Sequence, residues 1–445
     1  MQDGVTLIEL MIAMVISLLV LLALVSIFVN SSRSSSEMAK TNDLLENGRV
    51  SLQLLTEDLV HAGFWGGYLP RFDDLTTADI PVDAPTGIPN PCQAFSTWDA
   101  AYRKNILGIA VQSNNALPSG TGCLSPLVQR ANTDVLVVRH ADTCIPGVGN
   151  CDADAAGNLY FQYPQCTTDR KATAQGGTAN GITLAASASI SDNAYVGASI
   201  RTVTGPGAGQ FRLISGYQGS TQIATVSPDW SIAPTSATVY AIEYVLGTSA
   251  YPLLKKDCTT INEKRRFISN IYYVTDIIQD GITIPTLVRS QLGLASGSIA
   301  HQAPTVLIDG VEMLRVVLGV DDVSETGATV DYTASVNWVD PATKTSPANR
   351  GDGTPDRFIR CTTAAACTVD QLTNVVAAKL YVLTRSREPT PGYTDTKTYC
   401  LGEPQGDGSC ATADKFTPAA NDHYKRHVFV TSVRINNLSA RRETP

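Results

Sequence analysis

The chain has 445 residues, 43% hydrophobic and 17% charged, and its 33 Lys+Arg against 41 Asp+Glu give a formal net charge of −8 at pH 7. At roughly 150 residues per domain this length corresponds to about three domains, and the apolar content excludes a disordered chain. The acidic balance, without a basic run, excludes a nucleic-acid binder, while 34 Gly and 23 Pro point to a turn-rich β protein.

At the N-terminus, Leu10 to Ser32 carries no charge, and LMIAMVISLLVLLALVSIFV is apolar almost throughout. A run of that length crosses a bilayer, so the sequence predicts a membrane helix over residues 5–30. A secretory signal peptide would place basic residues first and a small-residue cleavage site after a shorter apolar core. One carboxylate, Glu9, stands at the start of the run. A charge there costs about 3 kcal/mol in lipid unless it is paired, which marks Glu9 as functional.

The stretch GVTLIELMIAMVISLLVLLALVSIF resembles the class III signal of type IV prepilins and pseudopilins. The resemblance implies that residues 1–4 are a leader, cut by a prepilin peptidase between Gly4 and Val5, and that Val5 becomes the methylated first residue. It also implies that Glu9 pairs with the N-terminal amine of a neighbouring subunit as helices stack into a filament. Such a partner is what burial of the carboxylate demands. The leader Met1-Gln2-Asp3-Gly4 departs from the family in holding an acid and no base, from which a start further upstream is expected.

Residues 31–62 turn polar and then place Leu45, Leu52, Leu55 and Leu59 at helical spacing. This predicts an amphipathic second half of the same helix, ended by Gly63 and Gly66-Gly67. The Ser-rich stretch 31–36 is expected to soften the junction, because serine competes for backbone hydrogen bonds. The run RVSLQLLTEDLVHAGF resembles the signature RFALQLLAxDLRHAGF of PilW-like minor pilins, which are related to the J-type pseudopilins of type II secretion. GVDDVSETG with RGDGTPDRF resembles that family's GVDTDGDGxxDRY segment, split here by an insertion. VVAAKLYVLTRSREPTP and YKRHVFVTSVRINNLSARRE resemble its closing strands.

Beyond Gly63, β-branched and apolar runs alternate with turns: 134–140, 238–246, 266–274, 311–320, 377–385 and 426–435. The expected fold class is therefore α+β: a type IV pilin fold with a long N-terminal helix packed on a large antiparallel β head over 63–445. Between 171 and 251 the texture changes to Gly, Ala, Ser and Thr, which predicts a β-rich module inserted in the head. Its strings resemble β modules of phage tail and surface proteins, leaving two readings, an adhesion or assembly contact and a decorative insertion. The whole reads as one pilin with an enlarged head rather than three independent domains.

The ten cysteines all lie beyond the first helix, without a C-x-x-C. Zinc ligands come in close pairs, so disulfides in an oxidising compartment are the better reading. Spacing favours Cys361 with Cys367 and Cys400 with Cys410, and Cys144 with Cys151 has similar loop-closing spacing. No catalytic constellation is present. Gly205-Pro206-Gly207-Ala208-Gly209 precedes a strand-like run rather than a helix, which rejects a phosphate loop. His423 and His427 would stand about 13 Å apart on a strand, too far for one metal; His61, His140 and His301 are isolated. A structural calcium is one expectation at Asp352 and Asp356, completed by Asp321 and Asp322, because oxygen ligands converge around such a glycine turn; a plain Gly/Pro turn is the other. Asp152 and Asp154 form a weaker copy. Arg350-Gly351-Asp352 spells the integrin tripeptide, read here as part of the turn.

The resemblance implies a minor pilin that primes pilus assembly and joins the filament, supporting motility and adhesion, with no enzymatic activity. Its implied partners are the prepilin peptidase, other minor pilins and the major pilin, the inner-membrane assembly platform and a large tip adhesin. The implied location is the inner membrane, with the head in the periplasm, and then the pilus. A J-type pseudopilin of type II secretion and a tip adhesin binding through 171–251 are the alternatives.

Overall fold

The computed structural model describes residues 6–116, 122–248, 250–295 and 297–443; the expected cleavage and methylation positions Gly4 and Val5 lie outside them. The first element is a single helix, α1 (Leu7–His61), of 55 residues, about 80 Å long at 1.5 Å per residue. It runs unbroken through the serine stretch where a soft junction was expected. Propensity is a weak prior, and here contacts from the head to Arg33, Glu37 and Lys40 hold the middle of the helix. The helix ends as the chain turns through Gly63, whose φ is +74°.

After α1, α2 (Ala100–Gly108) precedes β1 (Val111–Asn114), β2 (Val135–Ala141) and β3 (Tyr160–Gln162). A short helix, α3 (Thr167–Arg170), leads into β4 (Ala172–Thr173), β5 (Gly176–Thr178), β6 (Gly181–Thr183), β7 (Ala198–Thr204), β8 (Phe211–Gln218), β9 (Ile223–Ser227) and β10 (Val239–Gly247). Then come β11 (Arg265–Gln279), β12 (Ile282–Ala295), β13 (Ser298–His301), β14 (Thr305–Asp309), β15 (Val311–Val320) and β16 (Arg357–Ile359). The chain closes with α4 (Val369–Thr373), β17 (Val375–Arg385), β18 (Tyr399–Cys400), β19 (Lys415–Phe416), β20 (Arg426–Arg434) and α5 (Asn436–Ser439).

Fourteen strands form one sheet with the path β1-β2-β11-β3-β10-β7-β8-β9-β6-β5, to which β12, itself paired with β13 and β14, adds on β11, and β4 adds on β10. The strands β15, β16, β17 and β20 form a second sheet in the order β16-β15-β17-β20. The β11–β12 hairpin turns at Asp280-Gly281, both with positive φ, as a two-residue hairpin requires. The segment 171–251 has its own core, including Ile182, Ile200, Ile214, Val226, Trp230 and Ile242. It is not a detached unit, because β10 pairs with β7 on one side and with β3, a strand of the head, on the other.

All ten cysteines pair: Cys92–Cys123, Cys144–Cys151, Cys166–Cys258, Cys361–Cys367 and Cys400–Cys410. Three of these are the short-loop pairs expected from spacing. Cys166–Cys258 joins the segments that enter and leave the module.

The second half of α1 buries Leu44, Gly48, Ser51, Leu55 and Leu59, spaced three or four apart and so on one face. This seam differs at its upper end from the expected leucine stripe: Leu45 is 38% exposed and Leu44 is 5%. The reason is Gly48, against which the Phe429 ring of β20 lies so closely that a Cβ would stand 2.1 Å from Cε2. Leu55 and Leu59 join a core that includes Leu136, Val138, Leu314, Val316, Leu380 and Val433.

On an exposed helix Gly→Ala is stabilising by about 1 kcal/mol, but here overpacking reverses the sign. Gly48→Ala is expected to destabilise the head by about 1–3 kcal/mol in denaturant unfolding of the full chain in detergent. Adding Phe429→Ala should recover the intrinsic gain relative to Phe429→Ala alone; the same loss in both backgrounds would refute the contact.

Candidate assembly site

The first half of α1 is apolar and uncovered. Every large apolar side chain from Leu7 to Val29 is at least half exposed, and the helix is long and apolar enough to cross a membrane. Its N-terminus is a capping box: Thr6 donates its N–H at 3.0 Å and its hydroxyl at 2.9 Å to Glu9 Oε2, while Thr6 Oγ1 accepts the Glu9 N–H at 3.3 Å. This reciprocal arrangement satisfies donors that a helix start leaves unpaired. Both bonds fall on one carboxylate oxygen, and Oε1 makes no hydrogen bond among the described residues. The cap therefore fixes the carboxylate while leaving an oxygen free to meet a cation.

Below the apolar half, polar side chains tie the helix to the head. Arg33 donates to the Pro391 carbonyl at 2.8 Å and Lys40 to that of Pro389 at 3.2 Å. Glu37 pairs with Lys425 of the segment entering β20 at 2.7 Å and accepts the Thr390 hydroxyl at 2.9 Å. The Lys425 bond holds the Glu37 carboxyl down to about 2 against the opposing effect of burial, with the Thr390 hydroxyl and the charges of Lys425 and Lys40 adding to it. One turn before the helix ends, Asp58 spans two strands: Oδ1 meets His140 Nε2 of β2 at 2.9 Å, and Oδ2 accepts from Asn270 Nδ2 of β11 at 3.0 Å.

His140, expected to be isolated, is thus part of the helix–head joint. Its Nδ1 faces the Ala141 carbonyl at 2.9 Å, so both ring nitrogens point at acceptors and the doubly protonated ring satisfies both. Burial alone would lower its pKa; the hydrogen bond to Asp58 and that carboxylate's charge outweigh burial and raise it. Among the other histidines, His61 lies 5.7 Å from His140 ring to ring, His301 sits between Ser269 and Ser290, and His427 packs on Phe429.

The expected calcium turn is built differently. Asp321 accepts the Asp352 N–H at 3.1 Å and the Gly353 N–H at 2.9 Å, and Arg442 Nη1 lies 3.4 Å from its Oδ2. Gly351 lies so close that a Cβ would stand 2.1 Å from Asp321 Oδ2. Asp352 instead accepts the Thr354 N–H, Asp356 accepts that of Val323, and Asp322 pairs with Arg357. The carboxylates do not converge, and no group of three or more His, Cys, Asp or Glu able to hold a metal occurs among the described residues. The positive charge at Asp321 is Arg442, 2% exposed on its side chain, which also bonds Asp73 at 3.2 Å, Asn374 Oδ1 at 2.8 Å and the Thr373 carbonyl at 2.9 Å. In the weaker copy, Asp154 pairs with Lys264. Arg350 is 3% exposed and donates to the carbonyls of Asp331, Ala334 and Asn349, so the integrin-like tripeptide is not displayed.

Sequence reasoning missed Asp58, Glu37, Lys425 and Arg442. The usable signal was a carboxylate, Asp58, beside the buried Leu59 on a helix face otherwise headed for the core.

Residues 271–437 match the PilW family model, type IV pilus-assembly protein W, and residues 1–25 match the prokaryotic N-terminal methylation motif. The stretch 271–437 is thus similar to the PilW family, and the N-terminus is similar to the methylation motif. Among solved structures, a type IV-like pilin, TTHA1219 from Thermus thermophilus, is 17% identical over 39% of this chain and 68% of its own, with a TM-score of 0.18; at that score the likeness carries no argument. No curated protein matches the chain.

Arg442→Ala would leave Asp321 buried with backbone N–H donors alone and Asp73 with only the longer Arg441 pair at 3.7 Å, and a loss of about 3–5 kcal/mol is expected in denaturant unfolding. His140 gives a pH signature. Because its folded pKa lies above the unfolded 6.5, its contribution is complete below pH 6.5 and disappears as pH rises through the folded value. Thermal unfolding between pH 6 and pH 9 should show this decline in the wild type and a flatter profile in Asp58→Asn; superimposable profiles would count against the pair.

Proposed function

We propose that the chain is a minor type IV pilin that primes pilus assembly and is incorporated into the filament at its tip, supporting motility and adhesion. The observation that carries this reading is the helix with opposite halves: an uncovered apolar half starting at a capped Glu9, and a second half fastened to an antiparallel head. An apolar surface of that size needs lipid or other helices around it. In the membrane it anchors a single-pass precursor with its head in the periplasm; in the filament it packs among neighbouring pilin helices, after cleavage by a prepilin peptidase at Gly4. The tip assignment rests on bulk, since a head extending from residue 63 to the end of the described chain is accommodated more easily at an end than along a packed shaft. The partners are then other minor pilins, the major pilin, the inner-membrane assembly platform and a tip adhesin. The reading is non-enzymatic.

Glu9→Gln tests the pairing without destroying the cap, because glutamine at the third helical position still completes a capping box. The variant should insert in the membrane at wild-type levels yet be depleted at least tenfold from sheared pili. Unaltered incorporation would sink the proposed pairing.

A further inference from the structure

Where the module meets the head, the chain leaves β3 at Gln162, swings outward through residues 163–171 and returns as β4. Strands β3 and β4 both pair with the same edge of β10, at Val245–Gly247 and at Val239–Tyr240. Among the described residues no strand pairs with that edge between them. The gap borders a cleft of about 770 Å³, whose lining includes the buried residues Ala241, Ile242 and Glu243, a size within the range of small-molecule sites.

The charge of this cleft runs against that of the chain. Its lining holds five cations and two carboxylates. Arg201 and Glu243 satisfy one another at 2.7 Å, Arg71 bonds Asp79 and Thr77, and Asp74 accepts from Thr76. Arg170, Lys171 and Lys256 have no side-chain partner among the described residues. All three stand on the two segments that Cys166–Cys258 holds together, so the backbone that carries the cationic rim is tied before any ligand arrives, which lowers the ordering cost of binding. The lining also includes Tyr163, Pro164 and Leu69.

We propose that this cleft binds an acidic saccharide. Its carboxylates would meet Arg170, Lys171 and Lys256, a ring face would lie on Tyr163, and hydroxyls, which both donate and accept, would use the polar lining residues Thr76, Gln165 and Thr167. An acidic peptide fits less well. A peptide recognised by strand addition must run along a free edge, and here β3 and β4 close both ends of the gap. The inference is independent of the filament assignment.

The test titrates the full chain in detergent micelles with trigalacturonate, its methyl ester, tetraglutamate and inorganic phosphate. Trigalacturonate should bind with an affinity that falls with salt, and the ester at least tenfold more weakly. Lys171→Glu with Lys256→Glu should weaken trigalacturonate binding at least tenfold, while Lys397→Glu, on an exposed site elsewhere, leaves it unchanged. Lys171→Ala with Lys256→Ala serves in place of the charge reversal if the latter shifts the thermal unfolding midpoint. The proposal is overturned by absence of trigalacturonate binding to the wild type, by equal affinity for the ester, by phosphate or tetraglutamate binding as tightly, or by lysine variants that bind like the wild type.

Discussion

The apolar side chains from Leu7 to Val29 lie open along half of one helix, and each exposed large residue forgoes about 1.5–3 kcal/mol relative to burial. No part of the described chain folds back to cover them. The rest of the molecule has to hold this helix rigidly without shielding it, and the contacts follow from that demand. They begin at Arg33, just past the apolar run, and continue to Asn437 bonding the Val60 carbonyl. The seam is therefore polar at its upper end, where the helix leaves the apolar environment, and apolar lower down, where Leu55 and Leu59 enter the core.

The carboxylates of the helix divide the work. Glu9 is capped locally by Thr6 and leaves an oxygen available, whereas Glu37 and Asp58 are both consumed by the head. Glu37 ties α1 to the segment entering β20, the strand that also brings Phe429 against Gly48. Asp58 reaches across to β2 and β11 of the larger sheet. One helix thus joins both sheets through different side chains, and its orientation is set by the pair of them rather than by either alone.

Much of this was legible from local pattern. The apolar run gives α1, and the alternating runs give β2, β10, β11, β15, β17 and β20 to within a few residues, because period and length are properties of adjacent residues. The strand β12 went unnamed, although Asp280-Gly281 is a hairpin signal; Pro285 within it argues against a strand, and here its carbonyl still accepts from Gly310. The buried polar joints were not legible for a different reason. Asp58 and Asn270 are 212 residues apart, and Arg442 and Asp73 are 369 apart; nothing in the sequence near either partner selects the other. The resemblance to a calcium loop was a correct reading of the turn and an incorrect one of the charge, since the cation that Asp321 meets arrives from the far end of the fold.

That substitution of a guanidinium for an ion has a structural consequence. A bound ion would close the turn at 350–353 locally, from residues already near it. Arg442 closes it only when residues 436–442 have docked, and its planar fork can serve Asp73, Asn374 and the Thr373 carbonyl at the same time. The same segment caps the end of α1: Asn437 donates to the carbonyls of Val60, which the helix terminus leaves without an intrahelical partner, and of the C-cap Ala62, and Arg441 to that of Gly63 in the turn beyond. The turn in the head and the exit of the helix therefore share a single lock. A change that loosens Arg442 also loosens the anchorage of α1, so the stability of the head and the stiffness of the helix that leads away from it are coupled by construction.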